Sequence, residues 1–140
     1  MRFFMPSNRI GEVFILKTSN RATGVKQLLS QFGLDEYSEK QVALKANFNS
    51  PDAFPACTHP DTLRAIVETL KGAKANDVTL TERSGMGNNR QVLEHTGVLE
   101  LSEKLGFKAV ILDELAREEW VKISRNGSIG LRDFSLLSLS

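Results

Sequence analysis

The feature that most constrains this 140-residue chain is a regular alternation of short apolar runs with segments of helical period. Three nearly continuous apolar runs end in polar residues, and a fourth alternates more strictly, as strands of a sheet covered on both faces do. Between the runs, apolar residues recur at the spacing of one helix face. The predicted strands are EVFILKT (12–18), QVALKAN (41–47), DVTLTER (77–83) and KAVILDE (108–114).

The segments between these strands are predicted to be helices. Apolar residues in 25–32 and 63–70 have helical spacing, and residues 89–106 indicate two short helices divided near Gly97. The charged run 113–120 is predicted to be a solvated helix. Glycines that follow helical runs typically close them in a left-handed conformation. Three glycines occupy such places: Gly33, Gly72 and Gly106.

This order of elements predicts an α/β fold. We expect a three-layer sandwich with right-handed crossovers and a mostly parallel, Rossmann-like sheet of about four to five strands. Residues 1–122 are predicted to form a single α/β domain. The pattern decays in residues 123–140, which are predicted to be a poorly defined C-terminal tail or an edge strand around 129–134.

Composition excludes several classes of function. The 18 basic and 17 acidic residues nearly cancel, so neither a nucleic-acid nor a membrane partner is expected. The single cysteine, Cys57, cannot form an intrachain disulfide, and no intrinsic iron–sulfur cluster is expected, because such a cluster needs about four thiolates. No run approaches the roughly 18 apolar residues of a membrane span. We therefore predict a cytoplasmic protein.

The residues that follow the strands are the candidate site, because ligands of open α/β sheets bind at the carboxyl ends of the strands. Lys45 and Asn47 end the second predicted strand, and a helix begins near Thr58. The N–H groups at a helix start bind anions, and Lys45 adds a positive charge. The sequence therefore predicts a phosphate- or carboxylate-bearing ligand here. The alternative is that Lys45 is a solvated strand end and Thr58 only a cap.

Two residues are candidates for the N-cap of that helix. Thr58 and Asp61 resemble a capping box, in which each side chain bonds a backbone N–H of the first turn. Pro60 suits the first helical position and pushes the preceding His59 out of helical angles, so His59 is the other candidate N-cap.

The loop ERSGMGNN (82–89) contains two glycines around Met86. They allow a tight turn and a close backbone approach to a ligand. The loop lacks the third glycine of a dinucleotide-binding fingerprint, and no Walker loop occurs in the chain. A plain turn and part of a composite anion pocket both remain open.

These considerations yield one set of candidate residues. No metal site is predicted, since His59 beside Cys57, with Asp113 or Glu82, matches no established spacing, and His95 is expected to be exposed. Whether the protein is an enzyme stays open. The catalytic candidates are Lys45, His59 and Glu82. The ligand-binding candidates are Lys45, Asn47, Thr58, His59, Arg83, Ser84, Gly85 and Gly87.

Several of these motifs resemble the N-terminal part of the domain of unknown function 362 family. The resemblance rests on LKANFNSPDAFP, THPDTLRAIVETL, ERSGMG and VLEHTGVLELSEKLGFKAVILDE, and covers about residues 10–122. Members are often described as iron–sulfur proteins, with cysteine motifs C-terminal to the α/β region. This chain lacks that motif, and SRNGSIGLRDFSLLSLS does not resemble the family's C-terminal half. We therefore expect a truncated or diverged member, or a member whose end comes from an altered reading frame.

Three functions follow as hypotheses. The first is an α/β domain that binds a small anionic ligand, either by itself or as part of an enzyme. The second, implied only by the resemblance, is an accessory domain of an iron–sulfur or redox protein. The third is a non-catalytic remnant that forms a homodimer through an exposed sheet edge.

Overall fold

A computed structural model describes residues 11, 13–124 and 133–137 of the chain. In these residues the main sheet has three strands, in the order β1 (Gln41–Leu44), β2 (Asp77–Glu82) and β3 (Lys108–Ile111). Both pairings are parallel, with Leu44 opposite Leu80 and Leu80 opposite Ala109. The α/β class and the parallel sheet are therefore confirmed.

Four α-helices accompany the sheet in the described residues: α1 (Arg21–Leu29), α2 (Pro60–Gly72), α3 (Asn89–His95) and α4 (Val98–Leu105). α2 packs against β2 and α4 against β3, and α2 also contacts both α1 and α4. The two helices that contact the sheet, α2 and α4, also contact each other and so lie on one face of it, where the prediction was helices on both faces. The strand order explains this, because right-handed crossovers that advance in one direction place their helices on the same face.

The hydrophobic core lies between the central strand and this helix layer. Val78 and Leu80 of β2 are buried and alternate with Thr79 and Thr81, which belong to the opposite face. On that opposite face Ala43 of β1 is exposed, whereas Thr79 of the central strand is buried. The helices contribute several buried side chains to the core: Leu63, Val67, Leu70, Val92, Leu93, Val98 and Leu101.

The sheet has fewer strands than predicted. Residues 13–18 form no strand, although their apolar run has the composition of one, and Glu12 lies outside the described residues. The Phe14 ring instead packs edge-on against Phe32, with 5.6 Å between the ring centroids. A sheet of four to five strands is therefore wrong for the described part of the chain. An apolar run supplies strand propensity, but a strand also needs a hydrogen-bonded neighbour.

The helix boundaries follow local sequence signals closely. Gly97 separates α3 from α4 and has φ 73°, and Gly106 closes α4 with φ 64°, as predicted. Gly33, with φ −71°, and Gly72, which is the last residue of α2, are not left-handed closing residues. The predicted helix at 113–120 is wrong. Two 3₁₀ turns, Leu112–Glu114 and Arg117–Glu119, flank an extended backbone at residues 115 and 116.

The C-terminal part forms a separate antiparallel pair of strands. β4 (Trp120–Ser124) pairs with β5 (Asp133–Leu137), with Trp120 opposite Leu137. The edge strand expected around 129–134 overlaps β5 only in its last two positions, and residues 125–132 lie outside the described residues. The domain division at residue 122 stays a prediction. No helix among the described residues is long and apolar enough to cross a membrane.

Candidate functional site

An ion pair joins the carboxyl ends of the first two strands. Lys45 directly follows β1, and Glu82 is the last residue of β2. The Lys45 ammonium donates to Glu82 Oε1 at 2.6 Å and to the Ala46 carbonyl at 2.6 Å. The two partners differ in environment, because the Lys45 side chain is 61% exposed and that of Glu82 only 1%. The structure thus brings two of the three catalytic candidates together.

The Glu82 carboxylate is only partly satisfied. Besides Lys45, its Oε1 accepts a hydrogen bond from the Arg83 backbone N–H at 3.0 Å. Its Oε2 is buried and has no hydrogen-bond partner in the part of the chain that the structure describes. Burying a carboxylate costs several kcal/mol unless it is paired and hydrogen-bonded. Lys45 therefore provides most of what offsets the burial of this charge.

A buried polar network lies beside Glu82. Asn89 Nδ2 donates to the Glu82 carbonyl at 2.6 Å. The Ser84 hydroxyl lies within hydrogen-bonding distance of Asn89 Oδ1, at 3.0 Å, and of the Phe48 carbonyl, at 2.9 Å. Sequence reasoning missed Asn89, and the only signal for it was an amide residue directly after the N-cap Asn88. The network ties the start of α3 to the ends of β1 and β2.

The glycine loop makes a close approach to another part of the protein. Gly85 N–H donates to Asn49 Oδ1 at 2.9 Å, and Met86 N–H donates to the Asn49 carbonyl at 3.0 Å. A Cβ at Gly85 would lie only 2.2 Å from Asn49 Oδ1. Gly87 has φ 85°, a conformation that favours glycine. In this structure the predicted tight turn therefore serves to dock two loops.

We expect Gly85→Ala to lower the free energy of unfolding by about 1–2 kcal/mol, because the new methyl group must displace Asn49 and break its hydrogen bond with the loop. Urea unfolding followed by circular dichroism measures this. Gly72→Ala is the matched control, since nothing lies within 4 Å of a Cβ there. The Gly85→Ala/Asn49→Ala double variant should recover part of the loss, and a loss equal to that of Gly85→Ala alone would contradict the close-approach explanation.

Asn47, Thr58 and His59 form a second polar cluster. Asn47 N–H donates to Thr58 Oγ1 at 2.9 Å, and Thr58 N–H donates to the Asn47 carbonyl at 2.8 Å. His59, and not Thr58, is the N-cap of α2, because His59 Nδ1 accepts from Asp61 N–H at 3.1 Å. In its neutral form the imidazole therefore carries its proton on Nε2. The Thr58 hydroxyl is thus bonded to the Asn47 backbone, and the Asn47 side-chain amide donates to the Ala56 carbonyl at 3.0 Å.

His59 lines a cavity of about 350 Å³ beside this cluster. Phe54 stands edge-on to the His59 ring, with 5.4 Å between the centroids, and the Arg21 guanidinium lies 4.5 Å from the centre of the Phe54 ring. His95, exposed as predicted, lines the same cavity, and the buried Cys57 thiol there donates to the Ser50 carbonyl at 3.1 Å. No three His, Cys, Asp or Glu residues in the described ranges are placed to hold a metal ion.

Two arginines near the strand ends are occupied by carboxylates. Arg83 Nε donates to Asp113 Oδ1 at 2.9 Å, and Arg90 Nε donates to Glu114 Oε1 at 2.8 Å. The hydrogen bond from Arg90 holds the pKa of Glu114 below its ordinary value, and it raises the pKa of Arg90 in return. These pairs join the end of β2 and the start of α3 to the turn after β3, so Arg83 already has an anionic partner.

The comparisons with known proteins gave one family. The model described as Domain of unknown function (DUF362) matches residues 42–139, from β1 through the C-terminal strand pair. This confirms the resemblance that the strand-end and helix-start motifs suggested. No curated protein and no solved structure matches the chain significantly.

Proposed function

The chain belongs to the DUF362 family, and we propose that it binds a small anionic ligand at the carboxyl ends of β1 and β2. The ligand bears a phosphate or carboxylate group, and Lys45 is the residue that meets it. The family description names no chemistry, so the support comes from the residues of this chain alone.

The observation that carries the proposal is the geometry of the Lys45 ammonium. An ammonium has three N–H donors, and among the described residues Glu82 Oε1 and the Ala46 carbonyl take two of them. The side chain is 61% exposed, so the third donor can reach an acceptor from solvent. A ligand oxygen would complete the coordination of a cation that is already held in place, and such preorganisation lowers the entropic cost of binding.

Glu82 has a positioning role in this proposal. It is the buried anchor that holds Lys45 at the edge of the sheet, while Arg83 is held by Asp113. Arg83 keeps further N–H donors beyond its Nε, and Lys45 differs from it in being held by a buried carboxylate rather than an exposed one. His59 lines the separate cavity beside the start of α2, and the proposal does not depend on it.

Thermal unfolding in the presence of inorganic phosphate, citrate and a nucleoside monophosphate tests the proposal. A ligand at about 100 times its dissociation constant stabilises the folded state by roughly 2.7 kcal/mol, which is about 10 °C in melting temperature for a chain of this size. We expect one of these anions to raise the melting temperature of the wild type. Lys45→Gln should abolish the increase, because it keeps an N–H donor for Glu82 but removes the charge.

Lys40→Gln is the matched control, since Lys40 lies at the amino end of β1 and Lys45 at its carboxyl end. Its response should equal that of the wild type. Equal increases in all three proteins would show anion binding elsewhere and refute the role of Lys45. The absence of any increase would refute the proposal itself.

A further inference from the structure

The outer edge of β1 has no neighbouring strand in the described ranges, since β1 is the first strand of the order β1-β2-β3. Its helix-facing side chains, Val42 and Leu44, are only half-buried, whereas their register partners Val78 and Leu80 on β2 are buried. The edge strand is therefore incompletely covered on the side that faces the core.

An apolar groove of about 360 Å³ runs along this edge. Val42 and Leu44 point to one face of the sheet and Ala43 to the other, and all three line the groove, so the groove lies at the strand edge itself. Glu36 is its one charged lining residue among those described. The remaining lining side chains are Leu29, Phe32, Leu34, Tyr37, Ile66 and Leu70.

Residues 13–18 could fill such an edge, because they are an apolar segment that pairs with no strand in the described ranges. Val13 is 82% and Ile15 91% exposed, while the alternate residues Phe14 and Leu16 are about half as exposed. The segment also carries Lys17, whose charge is opposite to that of Glu36 in the groove. In an added-strand interaction, an unpaired strand edge beside an apolar groove binds an extended apolar segment whose residues favour β structure. The edge of β1 and residues 13–18 have these two properties.

We infer that residues 13–18 of a second copy bind the free edge of β1 as an added strand. The segment does not pair with its own β1 in this structure: residues 13–18 form no strand, and although Phe14 contacts the groove residue Phe32, the segment lies beside Gln27, Leu28 and Gln31 of α1 and its end. In a two-fold symmetric dimer each copy supplies one segment and one edge, so the exchange closes on itself and buries both apolar surfaces. This inference does not rest on the proposed ligand site.

Sedimentation velocity of the wild type and of Ile15→Asp provides the first test. The wild type is expected to sediment as a dimer at micromolar concentration and Ile15→Asp as a monomer. Met86→Asp is the matched control, because Met86 is also an exposed apolar residue but lies in the 82–89 loop. It should remain dimeric. A monomeric wild type, or a dimer that Ile15→Asp leaves intact, would overturn the inference.

Cysteine crosslinking identifies the contact itself. The native Cys57 is buried, so single variants Ile15→Cys and Ala43→Cys each add one accessible thiol. A mixture of the two variants should form a disulfide-linked dimer of one copy of each under mild oxidation. A mixture that forms none would refute the contact. A double variant that forms only an intrachain bridge at every concentration would show that the segment pairs with its own β1 and would also refute it.

Discussion

Replacing Lys45 with alanine is expected to lower the free energy of unfolding by about 3 kcal/mol, although Lys45 is largely exposed. The loss comes from its partner. Without Lys45, the buried Glu82 carboxylate keeps only the hydrogen bond from Arg83 N–H, and its Oε2 has no partner within the described structure. Removing one member of a buried pair usually costs about 3–5 kcal/mol, and we take the lower end because water can reach the Lys45 side. Urea unfolding gives the value directly.

Two further variants separate this explanation from a general loss of packing. Lys45→Ala/Glu82→Leu should be more stable than Lys45→Ala alone, because no charge then remains buried. Lys40→Ala, at the other end of β1, should change the free energy of unfolding by no more than about 0.5 kcal/mol. A double variant that is less stable than Lys45→Ala would mean that the Glu82 carboxylate is stabilised by something other than Lys45.

The largest loss of stability is expected for Phe48→Ala, about 4 kcal/mol. Phe48 is 1% exposed and follows β1 in the segment that leads to the site. Its side chain belongs to the main core, and its carbonyl lies 2.9 Å from the Ser84 hydroxyl. Truncation would therefore leave a cavity beneath both loops at the carboxyl edge of the sheet. Chemical unfolding measures the loss, and Phe48→Leu should cost only about 1–2 kcal/mol because it retains most of the buried volume.

Phe54→Ala is the matched control for Phe48→Ala. Phe54 lies on the same connection between β1 and α2 but is exposed, so its loss should cost less than about 1 kcal/mol. If the two alanine variants were equally destabilised, the connection would unfold as a unit and the core position of Phe48 would not explain the effect. If Phe48→Ala cost less than Phe54→Ala, Phe48 would not be a core residue in solution.

The sequence predicted where the residues of the candidate site lie, but not which of them contact each other. Lys45, Asn47, Thr58 and Glu82 were expected at the carboxyl ends of strands, and they lie there. The sequence does not reveal that Lys45 pairs with Glu82, 37 positions away, or that Asn47 and Thr58 hold each other. Such pairings depend on strand register and on side-chain directions, which are set by the packing of the whole sheet.

The sequence by itself determined the local features of this protein. Helical spacing, proline at the start of α2 and the glycines at 97 and 106 specify helices and their ends, because capping and backbone conformation depend on neighbouring residues. The tertiary structure alone decided that residues 13–18 stay out of the sheet, that α2 and α4 share one face, and that Glu82 is buried against Lys45. Each of these outcomes depends on contacts between residues far apart in the chain, and short-range propensity carries no information about them.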